Sequence, residues 1–297
     1  MDTVFAKQLL FHGSWLVVPA MAWLLWRWRR DRRHRAVLAF LLLGCGVFAW
    51  ARFVEPQLIQ VDHTELRGTG MQARIALVSD IHLGVYKDRR FLERLVDRLD
   101  ALPVDAVVIA GDLTYEPQRL VLSEAFAPLS ALRVPVYAVL GNHDQQAPGP
   151  DIDAPLRQAL RAHGVRVIEG MAFTDARGIR WAGLGDRWAG KDDPGFLRAA
   201  VEPAPAIVVA HNPDSAMDLQ PGEAAIVLAG HTHGGQIRIP WLYRKVIPSA
   251  HGFDRGEQVA PAAAGPVRVF TTRGVGEVGL PLRLFNPPTI DVLQLRP

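Results

Sequence analysis

Cysteine is almost absent from this chain of 297 residues, because Cys45 is the only one. A single thiol cannot form an intramolecular disulfide or build a thiolate metal cluster. Internal repeats and low-complexity tracts are also lacking, apart from a short alanine run at residues 262–264. Hydrophobic residues make up 49% of the chain and charged residues 21%, which excludes disordered and collagen-like proteins. Any bound metal must therefore be held by His, Asp, Glu or Asn.

The folded part of the chain has no excess of positive charge, although the formal net charge is +3. Residues 27–35 read RWRRDRRHR and contain six Arg against Asp31, so this segment alone carries +5 and the rest of the chain −2. A surface that follows nucleic-acid phosphates needs a basic face on the folded domain. Nucleic acid is therefore an unlikely partner.

Two long apolar runs flank the Arg-rich segment. Residues 9–26 and 36–53 contain no Asp, Glu or Lys, and Arg52 is their one Arg. Each run is long enough to cross a bilayer as a helix. The sequence therefore predicts a transmembrane hairpin over residues 1–56, followed by a catalytic domain over residues 57–297. One alternative is a soluble helical hairpin with one buried face. Another is a cleaved signal peptide, which fits poorly because two apolar runs separated by an Arg-rich turn differ from its single basic start and single short apolar stretch.

Short apolar runs alternate with helical periods after residue 73. Five of these runs are too apolar for half-exposed strands and indicate buried central strands, at residues 75–79, 106–110, 136–140, 207–210 and 225–229. Asp88 is predicted to cap a helix, residues 152–163 predict another, and residues 173–186 predict a hairpin. Strands without intervening helices follow at 267–272 and 289–295, and residues 54–71 indicate a linker that runs into an edge strand. We expect an α/β sandwich with mixed sheets.

Side chains that bind metals follow each of the five buried strands. The segments are SDIHLG with Asp80 and His82, GD with Asp112, GNHD with Asn142 and His143, AHNPD with His211, and GHTHGG with His231 and His233. In open α/β sheets such residues converge beyond the carboxyl ends of the strands. Five of the ten His occupy these positions, so chance placement is a poor explanation.

The residue types suit a pair of divalent cations. Two cations roughly 3.5–4 Å apart repel each other and need a shared anionic ligand, and Asp112 is the natural bridge. Neutral imidazoles and an amide oxygen can complete each shell. The glycines at 111, 141, 230, 234 and 235 allow sharp turns and a close approach of the backbone to phosphate.

These motifs as a set resemble the calcineurin-like metallophosphoesterases over about residues 74–297. The tail TTRGVGEVGLPLRLFNPPTI, with GHTHGGQI and the apolar start, is similar to bacterial membrane-associated phosphohydrolases that include UDP-2,3-diacylglucosamine pyrophosphatases of lipid A synthesis. The resemblance implies two mixed β-sheets packed together in a four-layer sandwich flanked by helices. It also implies two divalent metal ions, with Mn, Fe and Zn equally compatible with N/O ligands.

The resemblance implies a role for each motif residue. One metal would be held by Asp80, His82, Asp112 and His233, and the second by Asp112, Asn142, His211 and His231. A hydroxide between the metals attacks phosphorus in the family, so no protein nucleophile is needed. His143 is then the candidate acid for the leaving oxygen. A carboxylate that orients this His in some relatives is replaced here by Tyr115, which leaves Asp144 or a backbone carbonyl as its partner.

Candidate substrate contacts are Arg273 and Arg187, with Tyr86, Asn212 and Gln236 as weaker ones. Surface Arg residues are commonly solvated, and this is the alternative for both. We expect the loop IRIPWLY at 237–243 to pack on the core. The alternative is that its hydrophobic residues meet an acyl chain or the bilayer surface.

The function predicted from these residues is a membrane-anchored phosphohydrolase that acts on a phosphodiester or pyrophosphate, such as a lipid-linked or nucleotide-lipid substrate. The alternatives are a membrane-tethered metal-binding scaffold without turnover, and a general phosphomonoesterase or nuclease of the same superfamily. Short Arg-rich loops stay in the cytoplasm, which predicts a periplasmic catalytic domain on the bacterial inner membrane. This location conflicts with a nucleotide-linked lipid A precursor, which is expected at the cytoplasmic face.

Overall fold

The computed structural model describes residues 3–145, 151–198 and 204–297. Its α-helices are α1 Thr3–Gly13, α2 Val17–Arg30, α3 Arg35–Ala49, α4 Arg89–Asp100, α5 Leu122–Phe126, α6 Asn142–Gln145, α7 Asp153–Ala162 and α8 Gly195–Arg198. A π-helical turn, Trp50–Val54, continues α3 and is followed by a 3-10 turn, Glu55–Gln57. Further 3-10 turns lie at Ser14–Leu16, Ala127–Ala131, Pro213–Asp218, His233–Gly235 and Tyr243–Lys245.

The strands form two six-stranded mixed sheets and one small pair. The first sheet has the order β1 (Gln60–Leu66), β14 (Thr289–Leu295), β2 (Ala73–Val78), β4 (Ala106–Ala110), β6 (Val136–Val139) and β7 (Val165–Val167). The second has the order β12 (Gly256–Ala262), β13 (Gly265–Thr271), β11 (Ala224–Ala229), β10 (Ala206–Val209), β9 (Arg180–Gly183) and β8 (Met171–Thr174). The small pair is β3 (Leu83–Gly84) with β5 (Thr114–Tyr115).

The pairing directions make both large sheets mixed. Strands β2, β4, β6 and β7 run parallel, whereas β14 is antiparallel to β2. In the second sheet β9, β10, β11 and β13 run parallel, and β12 and β8 pair antiparallel at its two edges. The predicted mixed α/β sandwich is confirmed.

The buried strands face apolar layers on both sides, as their unbroken apolar sequences predict. In β2, Ile75 and Leu77 belong to the core between the two sheets, whereas Ala76 and Val78 face the core under α4. A third core covers the outer face of the second sheet, where α8 and the turn Pro213–Asp218 take the place of long helices. The result is four layers with the site at the carboxyl ends of the parallel strands.

The predicted local elements are largely confirmed. The side chain of Asp88 accepts a hydrogen bond of 3.1 Å from the backbone N–H of Phe91 and so caps α4. The apolar face of α4 is buried, β8 and β9 form the predicted hairpin, and β1 is the edge strand that follows the predicted linker. The sequence reading missed β7, β12 and the β3–β5 pair, because short strands with polar residues lack a clear period.

The N-terminal helices form a hairpin whose apolar side chains face outward. Val4–Arg30 and Arg35–Gln57 are long and apolar enough to cross a membrane, and only small shares of their apolar windows are buried. Leu16 and Phe40 are among the exposed side chains. A soluble hairpin with a buried apolar face does not fit this exposure.

The first and the last segment of the hairpin both contact the rest of the protein. Phe11 of α1 stacks on Tyr86 with ring centroids 5.4 Å apart, and Lys7 forms an ion pair with Glu116. At the other end, the backbone N–H of Asn286 donates to the Glu55 carboxylate at 2.6 Å. The Arg-rich turn between α2 and α3 is therefore at the end of the hairpin away from the two sheets.

Candidate metal centre

Two clusters of buried metal-binding side chains lie at the carboxyl ends of the central strands. One contains Asp80, His82 and His233, and the other contains Asp112, His211 and His231. Within each cluster, one candidate ligand atom from every residue lies within 4.8 Å of the others. Residues that are 151 positions apart in sequence thus share one site, as the strand order predicts.

The first cluster is arranged around an unpaired carboxylate oxygen. Oδ2 of Asp80 accepts hydrogen bonds from the Ser79 hydroxyl and from the backbone N–H of His231, whereas Oδ1 is buried without a partner. This Oδ1 lies 3.3 Å from Nε2 of His233 and 3.8 Å from Nε2 of His82. An unpaired buried carboxylate oxygen is costly unless a cation joins it.

The two imidazoles of the first cluster face each other. Nε2 of His82 and Nε2 of His233 are 3.1 Å apart. Nitrogen ligands at about 2.1 Å from one cation, at right angles, lie about 3 Å apart. Nδ1–H of His82 donates to the carbonyl of Thr114 at 3.2 Å, which fixes its other nitrogen toward the cluster.

The second cluster repeats this arrangement around His211. Nδ1–H of His211 donates to the carbonyl of Ala110 at 2.8 Å, so Nε2 faces the cluster. That nitrogen lies 3.2 Å from Oδ1 of Asn142, 3.2 Å from Oδ2 of Asp112 and 3.1 Å from Nδ1 of His231. Asn142 therefore lies beside the second cluster, and the role as a metal ligand that the family resemblance implies for it stays a prediction.

Asp112 lies between the clusters. Its Oδ2 is 3.6 Å from Nε2 of His82 in the first cluster and 3.2 Å from Nε2 of His211 in the second. Oδ1 of Asp112 instead accepts the backbone N–H of His143 at 2.9 Å. Oδ2 of Asp112 is thus close to candidate ligands of both clusters.

The electrostatics of the site favour cations. Burial lowers the pKa of His82 and of His231 to about 3, so both imidazoles are neutral and keep a lone pair for a metal. Burial raises the pKa of Asp80 to about 7. Burial also disfavours a charged His211, yet the Asp112 carboxylate outweighs this effect and raises the pKa of His211 to about 10. The buried carboxylates thus attract positive charge, and the residues present fit divalent metals.

Backbone strain is concentrated at these residues. The φ angles of Asp80, His82, Asp112, His231 and His233 are all positive, between 51° and 69°. Non-glycine residues in this region cost about 1–3 kcal/mol each and are found mainly at functional sites. The strained turns direct the side chains that leave adjacent strands toward one another.

Two of the motif glycines make room for ligand side chains. A Cβ at Gly141 would lie 2.1 Å from Oδ1 of Asp112, and a Cβ at Gly230 would lie 2.4 Å from Oγ of Ser79. The sequence reading assigned these glycines to sharp turns and the approach of phosphate. In the structure Gly141 and Gly230 also lie tightly against the cluster residues Asp112 and Asp80 and against Ser79, which donates to Asp80.

His143 stands at the edge of the site. Its ring meets those of His82 and Tyr115 edge to face, with centroids 5.1 Å and 4.9 Å apart. Asp144 was one candidate for its orienting partner, but its carboxylate accepts hydrogen bonds from Leu113, Thr114 and Gly141 instead. Among the described residues, the ring of His143 makes these aromatic contacts and no hydrogen bond.

The candidate substrate arginines are held by carboxylates. Arg273 forms an ion pair with Asp62, and Arg187 forms ion pairs with Asp192 and Asp218. Neither is the freely solvated side chain of the alternative interpretation.

The three weaker candidates have structural contacts. The Tyr86 hydroxyl donates to the carbonyl of Gly279, Asn212 caps the turn Pro213–Asp218, and the Gln236 amide donates to the carbonyls of Val278 and Leu280.

Sequence reasoning missed two groups near the clusters. The ring of Trp188 meets that of His231 edge to face at 4.6 Å, and Lys7 lies 4.3 Å above the Tyr115 ring. A motif search finds neither residue, because Trp188 is in a loop and Lys7 belongs to the N-terminal hairpin. The tail at residues 271–290 also supports the site, since the backbone N–H groups of Val275 and Gly276 donate to the carbonyls of Ser79 and Asp80.

The fold and the paired clusters define a metal-dependent phosphohydrolase. Residues 73–235 match the family described as calcineurin-like phosphoesterase, and the chain belongs to this family. Two similar relatives are the uncharacterized metallophosphoesterase YkuE of Bacillus subtilis, at 28% identity, and the phosphodiesterase YaeI of Escherichia coli, at 27%. These alignments cover 88% and 90% of this chain and 94% and 98% of the relatives. The UDP-2,3-diacylglucosamine pyrophosphatase LpxG of Chlamydia muridarum is 24% identical over 82% of this chain and 92% of its own length.

Proposed function

We propose that this chain is a membrane-anchored, dinuclear phosphohydrolase that cleaves a lipid-linked phosphodiester or pyrophosphate on the periplasmic side of a bacterial inner membrane. The observation that carries the dinuclear site is the position of Oδ2 of Asp112 between His82 and His211. A shared carboxylate is what two adjacent cations require.

Seven residues would hold the two metals. Asp80, His82 and His233 belong to one shell, Asn142, His211 and His231 to the other, and Asp112 to both. Divalent cations held there would withdraw charge from the phosphoryl oxygens of a bound ester. Mn, Fe and Zn all suit these nitrogen and oxygen ligands.

His143 is the proposed acid for the leaving group. Its backbone is tied to Oδ1 of Asp112, which fixes the ring beside the shared carboxylate. The ring packs between His82 and Tyr115 and keeps its nitrogens free of protein hydrogen bonds among the described residues. An imidazolium in this place can donate a proton to the leaving oxygen or stabilise its charge.

The hairpin provides the proposed anchor over residues 1–56 and also determines the side of the membrane. Both α1 and the turn Glu55–Gln57 contact the catalytic domain, and the Arg-rich turn is at the far end. If both helices span, the N-terminus and the catalytic domain lie on the same side, opposite the Arg-rich turn. The positive-inside rule then places the domain outside the cytoplasm.

The proposed substrate class follows from the position of the site next to the anchor. The ring of Tyr86 stacks on Phe11, and its centroid lies 5.7 Å from the centroid of the Tyr115 ring. The ring of Tyr115 in turn contacts His143. A phosphate at the membrane surface is therefore near the candidate acid. The relative LpxG is named for a nucleotide-linked lipid, but the proposed outer location favours a lipid-linked substrate that is available outside the cytoplasm.

Two measurements test this function. Elemental analysis of the purified full chain should give about two metals per chain, and the protein should hydrolyse bis-p-nitrophenyl phosphate. A screen of simple monoesters, nucleotide diesters and lipid pyrophosphates, including UDP-2,3-diacylglucosamine, then identifies the ester class. A chain that binds metal and hydrolyses none of these would be a metal-binding scaffold.

Fusion proteins test the side of the membrane. Alkaline phosphatase fused after Pro297 should be active in a bacterial host, and green fluorescent protein in the same place should be dark. Fluorescence without phosphatase activity would place the domain in the cytoplasm and favour the nucleotide-linked lipid.

A further inference from the structure

Exposed apolar side chains of the catalytic domain are concentrated in two neighbouring loops. Between residues 57 and 297, eleven large hydrophobic side chains are exposed in the described part of the chain, and six of them lie in residues 239–246 and 280–285. These six are Ile239, Trp241, Leu242, Val246, Leu280 and Phe285. Trp241 is 86% exposed and Phe285 is 67% exposed. The expectation that the loop at 237–243 packs on the core is wrong for Ile239, Trp241 and Leu242, and correct for Tyr243, which is buried.

Side-chain contacts hold the base of the first loop against the domain. The guanidinium of Arg238 donates to the Asp254 carboxylate at 3.1 Å and to the carbonyl of Gly234 at 2.8 Å. It also stacks on the Tyr243 ring at 4.0 Å. The buried Tyr243 ring in turn packs against Gly235. The base of the loop is fixed while Trp241 and Leu242 project from it.

The backbone is strained where the two aromatic residues project. Trp241 has φ 66° and Phe285 has φ 57°. Bulky residues rarely adopt this region. Such strain costs about 1–3 kcal/mol per residue. In water, neither ring gains enough burial to offset it.

The two loops are continuous with the end of the hairpin. The backbone N–H of Arg283 donates to the carbonyl of Ala51 at 2.9 Å, in the last turns of the second apolar helix. The loops are joined to each other, because the backbone N–H of Arg238 donates to the carbonyl of Leu284 at 2.9 Å and that of Leu284 to the carbonyl of Gln236 at 3.1 Å. Both loops are therefore close to the point where the proposed anchor leaves the bilayer.

Basic side chains accompany the apolar ones. Arg244 and Lys245 follow Leu242 and are exposed. Trp rings prefer the interfacial region of a bilayer, and Lys or Arg near an anionic surface contributes about 1 kcal/mol each. Apolar rings beside exposed cations are the combination that an anionic membrane surface binds.

We propose that residues 237–246 and 280–285 form a membrane-docking surface that inserts into the headgroup region of an anionic bilayer. Trp241, Leu242 and Phe285 enter the boundary with the acyl chains, and Arg244 and Lys245 contact lipid phosphates. The surface begins at residue 237, four positions after His233, so docking presents the metal centre to lipid headgroups. The proposal rests on the anchor assigned above, because the hairpin brings these loops to the membrane.

Nitroxide labels on the full chain in nanodiscs test the docking. Cys45→Ala removes the native thiol, and Leu242→Cys and Leu280→Cys then place one label on each loop at positions without positive φ. Nanodiscs of phosphatidylcholine with phosphatidylglycerol provide the anionic surface. The spectra report how often each label collides with oxygen, which partitions into lipid, and with a water-soluble nickel chelate. The ratio of the two collision rates is high in lipid and low in water.

Two control labels make the outcomes distinct. Phe40→Cys, on an outward-facing side chain of α3, reports whether the hairpin is in the bilayer, and Ala176→Cys, at the tip of the β8–β9 hairpin and opposite the site, reports water. We expect oxygen-to-nickel collision ratios at Leu242 and Leu280 to be several-fold above the ratio at Ala176 and at or below that at Phe40, because the loops reach only the boundary of the acyl chains. Hydrolysis of bis-p-nitrophenyl phosphate shows that each labelled chain is folded.

Two results would overturn the docking surface. If the label at residue 40 has the high oxygen-to-nickel ratio of a lipid environment while the labels at residues 242 and 280 have the low ratio of the label at residue 176, the anchor stands and the loops face water. If Phe40 also matches Ala176, the hairpin is outside the bilayer, and the anchor fails together with the surface that depends on it. Two loops are labelled so that a misfolded variant of one leaves the other to decide.

Discussion

The backbone N–H of His143 donates a hydrogen bond of 2.9 Å to Oδ1 of Asp112. This bond connects the proposed acid to the carboxylate that lies between the two metal-binding clusters. Because the bond is made by the backbone, the side chain of His143 can be changed without removing it. The proposed roles of the two residues can therefore be tested separately.

Replacement of the shared carboxylate should disrupt metal binding. Asp112→Asn removes the negative charge that offsets the repulsion between two cations, so metal content should fall below two per chain and turnover should be lost. Elemental analysis and hydrolysis of bis-p-nitrophenyl phosphate measure both effects. Asp97→Asn, on the exposed face of α4, is the matched control and should change neither. Two tightly bound metals with normal turnover in Asp112→Asn would refute the bridge.

Loss of the proposed acid should slow the reaction without releasing metal. His143→Ala should reduce kcat by roughly 10²–10⁴-fold, the usual contribution of a positioned acid. The loss should be smaller for nitrophenol leaving groups than for alkoxides, because a good leaving group needs little protonation. His251→Ala, an exposed histidine away from the clusters, is the control. Equal losses for both kinds of leaving group would contradict the acid role.

A methyl group behind Asp80 should damage the first cluster. A Cβ at Gly274 would lie 2.8 Å from Cβ of Asp80, at φ +66°. Gly274→Ala should therefore displace Asp80, lower the metal content and reduce activity. Gly170→Ala is matched in backbone strain, with φ +69° and no heavy atom within 4 Å of its Cβ. This control should lose only roughly 1–2 kcal/mol of stability and keep its metals. A Gly274→Ala chain with full metal content would show that the tail does not support the cluster.

Asp144 should be required for stability rather than for the proton transfer. Its carboxylate accepts four hydrogen bonds of 2.8–3.1 Å, three from backbone N–H groups and one from the Thr114 hydroxyl. Asp144→Ala leaves these buried donors unpaired and should cost about 3 kcal/mol or more, since each unpaired group costs about 1–3 kcal/mol. The thermal unfolding midpoint measures this loss, with Asp97→Ala as the control. An unchanged midpoint would mean that the loops after β4 and β6 do not depend on this carboxylate.

The candidate site residues could be recognised in the sequence because each potential ligand directly follows a buried strand. Asp80, Asp112, Asn142 and His211 are recognisable in sequence through the apolar runs before them, and the five runs are confirmed as β2, β4, β6, β10 and β11. The edge strand β12 and the pair β3–β5 were missed, because their residues have neither a continuous apolar run nor a clear alternation. Their pairing depends on neighbours that are distant in sequence.

The contacts of individual side chains could not be predicted in the same way. Arg273 and Arg187 were candidates for a substrate, and only the fold shows that Asp62 and Asp218 pair with them. The position of Lys7 over Tyr115 likewise depends on how the hairpin meets the domain. Sequence spacing does not show which carboxylate pairs with a given Arg or Lys, because that choice depends on how distant segments pack.

The sequence by itself determined the buried strands, the apolar hairpin and the candidate metal ligands, because these depend on local composition and on the order of strands along the chain. Only the tertiary structure decided that Oδ2 of Asp112 lies between His82 and His211. It also decided that the Asp144 carboxylate accepts hydrogen bonds from backbone N–H groups and not from His143. The exposure of Trp241 and Phe285 beside the end of the hairpin was likewise visible only in the fold. The physical reason is that distances between side chains are set by sheet pairing and by strained turns, whose geometry arises from packing of the whole chain.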